Sequence, residues 1–104
     1  MQEARERRRG APSEFSRETA RRAAFARMHE VADLAAPTPA SLAELRALLA
    51  DHGTDDPESA HVYADRAVAA ALRQALRAAT LEEARALVQG ALAVAEVPFG
   101  RWFA

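Results

Sequence analysis

The sequence predicts an all-α fold, a small four-helix domain whose C-terminal aromatic tail packs on the third helix. Three observations predict it. Apolar residues recur every three or four positions in four separate segments. Each of those segments opens on a recognisable helix-start pattern. No stretch alternates apolar and polar residues with period two, so no strand is expected.

The first helix is expected from about Ser13 to Ala36, with Ala20, Ala24, Met28, Val31 and Ala35 as its apolar stripe. Pro37 ends it, because proline lacks the amide proton and restricts Ala36 to extended backbone. The second starts at Thr38-Pro39 or at the capping box Ser41-x-x-Glu44. It carries Leu42, Leu45, Leu48 and Leu49 and closes at Gly53, a residue suited to a helix C-terminus. The third opens on Asp56 as N-cap, Pro57 in the first turn and Glu58 beside it, and runs to about Ala78. The fourth opens on a second capping box, Thr80-x-x-Glu83, and runs to about Glu96, before Pro98 and the tail Phe99-Gly100-Arg101-Trp102-Phe103-Ala104. Residues 1–12 are polar, arginine-rich and end in Gly-Ala-Pro. They read as a basic flexible arm, with 13–104 as a single helical domain.

Composition narrows the function classes. Half of the 104 residues are hydrophobic, but alanine supplies 28 of them and Leu, Val and Phe only 20, with no isoleucine. The core is therefore thin, and association with another chain would add buried area. The absence of cysteine excludes a disulfide framework, thiolate metal sites and a cysteine nucleophile. No apolar run approaches the roughly 20 residues that span a bilayer, and the first residues lack the apolar stretch of a signal peptide, so a cytoplasmic protein is expected. All 14 cations are arginine. Residues 1–29 carry eight arginines and four glutamates, whereas 30–104 carry six arginines and 11 acids, so a basic arm precedes an acidic body.

One constellation invites a functional reading. On a wheel of about 100° per residue, Val68, Leu72, Ala75 and Leu76 mark the apolar face of the third helix. His61 and Asp65 fall at its centre and Glu58 extends the line. A His and an Asp four residues apart on a helix can touch. Buried polar groups need partners, so Glu58, His61, Asp65 and the indole N–H of Trp102 are expected to form a buried polar motif. The competing reading makes Glu58, His61 and Asp65 the ligands of a metal-dependent hydrolase, with Asp55 or Asp56 from the preceding loop. It lacks a second histidine on the same helix, and His29 and His52 would have to converge from elsewhere. No phosphate-binding glycine pattern is present and nothing calls for a cofactor. Phe15 and Phe25 lie off the first helix's stripe, beside Arg17, Arg21 and Arg22, where they could meet a partner or another helix.

The segment Asp56-Pro57-Glu58-Ser59-Ala60-His61, then Ala64-Asp65, together with Arg101-Trp102-Phe103-Ala104, resembles a group of short bacterial and phage-associated helical proteins. Their pattern is Asp-x-Glu-x-Ala-His-x-x-Ala-Asp, a leucine-rich helix and a C-terminal Trp-aromatic-Ala. The likeness covers about residues 40–104. The chain departs from it at Arg66-Ala67-Val68, where the group has leucines, and in its N-terminal extension. The resemblance implies no reaction, but it links His61, Asp65 and Trp102 as parts of one motif.

Three functions follow as expectations. The first is a non-enzymatic interaction or accessory protein, of mobile-element origin, with a protein partner or as a homodimer. The second is nucleic-acid binding through Arg5, Arg7, Arg8, Arg9, Arg17, Arg21, Arg22 and Arg27. The third is the metal-dependent hydrolase.

Overall fold

The computed structural model describes residues 13–98. They form α1 (Glu14–Ala32), α2 (Pro39–His52), a 3-10 turn (Gly53–Asp55), α3 (Pro57–Leu76) and α4 (Leu81–Ala95), with no strand among the described residues. The expected N-terminal signals act where the chemistry requires. Ser13 caps α1 by accepting from the Ser16 amide. Thr38 accepts from the Ser41 amide while the Ser41 hydroxyl accepts from the Thr38 amide, a reciprocal box that satisfies two amides at the start of α2. Asp56 and Thr80 cap α3 and α4 through the amides of Ser59 and Glu83. Glu83 reaches back to the Ala79 amide at 3.3 Å rather than to that of Thr80.

Two helix ends differ from the sequence expectation. α1 stops at Ala32, because the Asp33 amide donates to carbonyls of the last turn and the chain then leaves in an exposed segment before Pro37. Ala35 is therefore not on the stripe. Gly53 closes no left-handed cap. Its φ of −58° and ψ of −33° are right-handed, and it opens the buried end of the 3-10 turn that leads into α3.

The four helices pack as a square, α1 and α2 below, α3 and α4 above. The largest contact is α3 on α4, followed by α2 on α4, α1 on α2 and α1 on α3. α2 sends Leu42, Leu45 and Leu49 into the centre, where all three are wholly buried beside Met28 of α1 and Val94 of α4. α3 contributes only small residues to this core. Ala60, Ala64, Ala67 and Ala71, spaced by four, three and four, are its buried residues, so its backbone lies close to its neighbours. Gly90 does the same for α4. A Cβ there would stand 2.8 Å from Leu42 Cδ1 and 3.1 Å from Leu42 Cβ.

This alanine stripe corrects the wheel reading of α3. The inward direction lies more than a third of a turn from the side that Leu72 and Leu76 mark. Leu72 is 44 % exposed and Leu76 89 %. Tyr63 is half-buried, and its ring meets the His29 imidazole edge-on at 5.6 Å across the α1–α3 contact. Phe25, expected off the stripe, packs part-buried on the core, whereas Phe15 is 81 % exposed.

Candidate functional site

The expected polar motif is where the structure departs furthest from the sequence reading. Asp65 is not inside: its side chain is 60 % exposed, and Glu58 is exposed two turns before it. His61 is partly covered at 37 %, with Nε2 3.0 Å from the Asp65 carboxylate, so the pair does form. Its Nδ1 is out of solvent and has no hydrogen-bond partner among the described residues. No charged or polar side chain is buried among the described residues, so the inward-facing imidazole and carboxylate become a surface pair at the edge of the α3–α4 contact. The reason is the rotation of α3 onto its alanines, which swings positions 58, 61 and 65 outward with Leu72 and Leu76.

Among the described residues no three His, Asp or Glu side chains gather as a metal ligand set, so Glu58, His61 and Asp65 do not form the trio a hydrolase would need. Trp102, the fourth member of the motif, and Arg5, Arg7, Arg8 and Arg9 lie outside the described residues.

Three of the four described arginines of α1, Arg21, Arg22 and Arg27, are engaged with carboxylates. Glu18 accepts from Arg21 at 2.6 Å and from Arg22 at 3.2 Å, and these contacts hold its carboxyl below the usual range. Arg27 forms a fork on Glu44 of α2, Nε to Oε2 at 2.5 Å and Nη2 to Oε1 at 2.8 Å, with a further bond to Glu30. The fork depresses the Glu44 pKa and raises that of Arg27. Arg17 and Arg21 line an open hollow with Glu14, Glu18, Asp51 and Asp55, whose carboxylates would repel a phosphate backbone.

The surface that stands out is apolar, and it was not singled out from the sequence. Going around α3 from α1, the side chains run from the core alanines, through Val68 and Ala75 toward α4, to Leu72, Ala69, Leu76 and Val62. Going around α4 from α2, they run from Leu87 and Val94, through Ala91 and Ala84, to Val88, Leu81 and Leu92. Since α1 and α2 lie on one side of the α3–α4 pair, both outer sets share the opposite side. Leu76 and Leu81 are 89 % and 73 % exposed, Leu92 54 %, Val62 47 %, Leu72 44 % and Val88 37 %. Six of the eight exposed large hydrophobics of the described residues thus belong to one face. The sequence did hold its trace. Val62, Asp65, Ala69, Leu72 and Leu76 are spaced three and four apart, the seam positions of a coiled coil with one carboxylate among them.

No described helix is long and apolar enough to cross a membrane. Set against protein-family models, curated proteins and solved structures, the chain finds no match in any of the three.

Proposed function

We propose that this chain is a non-enzymatic helical interaction protein whose docking surface is the outer face of α3 and α4. One observation carries the reading: α3 turns both its leucines, and α4 two of its three, to solvent on the side away from α1 and α2, while α3 is held to the rest of the bundle by alanines. Apolar faces of this kind, here with Asp65 and Glu58 set among the leucines, mark partner surfaces. The exposed fractions of the six side chains amount to between three and four whole residues. At about 1.5–3 kcal/mol for each fully covered side chain, a partner would gain roughly 5–10 kcal/mol from this face alone. That is comparable with the cost of associating two molecules, about 4–15 kcal/mol.

The natural chain has no cysteine, which gives a clean test. Leu76→Cys and Leu92→Cys place single thiols on the face, and Arg22→Cys places one on exposed α1. Alkylation by a maleimide in intact cells is compared with alkylation of dilute purified protein. Docking predicts that cells slow the reaction at 76 and 92 several-fold more than at 22. Equal slowing at all three positions refutes it.

A further inference from the structure

Resting on the docking reading just given, we infer that the occupant of the α3–α4 face is a second copy of this chain, seated antiparallel about a two-fold axis near Ala69. The charge along α3 is what selects the copy and its direction. Its N-terminal half carries Glu58 and Asp65 toward the face, and its C-terminal half carries Arg73 at the rim and Arg77 beyond it. None of Glu58, Arg73 and Arg77 has an ion-pair partner among the described residues, and Asp65 pairs only with His61 on its own helix. A parallel copy would set carboxylates on carboxylates. An antiparallel copy sets the acidic half of one α3 on the basic half of the other, so the surface is complementary to itself, as a two-fold interface must be. Centring the pairing on Ala69 puts Asp65 opposite Arg73 and Val62 opposite Leu76 twice over. It also places a small, half-buried side chain where the two helices come closest.

Size agrees. The 20 residues of α3 make a rod about 30 Å long, and two adjacent helices are about 20 Å wide. The footprint of about 600 Å² approaches the ~800 Å² that each partner gives to a stable interface. The chain passes Val97 and Pro98 beside Arg46 and Ala50 of α2, on the flank of α4 away from α3.

Sedimentation equilibrium of the full chain from about 1 to 500 μM tests the inference. The expected result is a dimer whose dissociation constant rises at least about tenfold in Asp65→Arg and in Arg73→Asp, and returns toward the original value in the double variant. Leu76→Glu with Leu92→Glu should sediment as a monomer with unchanged helical circular dichroism. A monomer throughout the range overturns the second copy; the thiol experiment then decides whether the face docks something else. A dimer indifferent to both the leucine variants and the charge exchange overturns the proposed surface. If the chain is monomeric and adding Trp102→Ala to the Leu76→Cys variant speeds its alkylation, the chain's own tail is the occupant and the inference falls.

Discussion

Replacing Gly90 by alanine should destabilise the fold, although the ordinary helix rule predicts the opposite. Glycine inside a helix costs about 1 kcal/mol relative to alanine, so at an open position Gly90→Ala would stabilise by that amount. Here the new Cβ would meet Leu42 Cδ1 at 2.8 Å and Leu42 Cβ at 3.1 Å, against a comfortable carbon–carbon separation of about 3.5–4.0 Å. Leu42 is wholly buried, so its δ-methyl cannot swing out into solvent, and its Cβ moves only with the α2 backbone. Relief requires a strained rotamer or a retreat of α2 from α4, and overpacking of this kind costs about 1–3 kcal/mol. The net loss is about 0–2 kcal/mol, or up to roughly 10 °C in Tm for a chain of this length. Thermal melts of Gly90→Ala, Leu42→Ala and the double variant measure it. In the Leu42→Ala background the nearer clash is gone, and Gly90→Ala should become neutral or stabilising. A Tm raised equally in both backgrounds would refute the close-approach argument.

Three further outcomes are expected. Asp56→Ala should cost about 1 kcal/mol, the usual value of an N-cap. The Ser59 hydroxyl and amide hold the Asp56 carboxyl below its ordinary value, so its contribution is present above the unfolded value near pH ~3.9 and lost as pH falls through the lower folded one. Asp56→Asn should keep much of the cap and flatten that part of the acid limb in melts taken across pH. Ala64→Leu should lose about 1–3 kcal/mol by forcing α3 off the core, whereas Leu76→Gln should stay within about 0.5 kcal/mol in dilute monomer, by chemical denaturation. Arg27→Lys removes the two-pronged contact with Glu44, and the Glu44 carboxyl should titrate at higher pH by NMR while the helices stay in place.

The helices and their starts were legible because caps are local chemistry. Thr38 with Pro39, Asp56 with Pro57, and Thr80 with Glu83 each declare a helix within four residues, whereas the box at the second start joins Thr38 to Ser41 and not Ser41 to Glu44. The facing of α3 was not legible by the same means. A wheel weighted by side-chain size points at Leu72 and Leu76. The bundle instead selects Ala60, Ala64, Ala67 and Ala71, because helices gain more from close approach along a small-residue groove when leucines of α2 already fill the centre. That spacing was present in the sequence, but in a chain with 28 alanines it competes with many others. The candidate site inherited the error. His61 and Asp65 do meet, as four-residue spacing allows, yet they do so at the surface, and Glu58 stands clear in solvent.

The alanine seam of α3 has a consequence for how such a chain can change. Methyl groups leave no freedom to trade volume, so the inner side of this helix tolerates few substitutions. The outer side contributes little to folding and is at liberty to vary. That surface can therefore change, by exchanges at positions such as 62, 72 and 76, without the scaffold having to be reinvented.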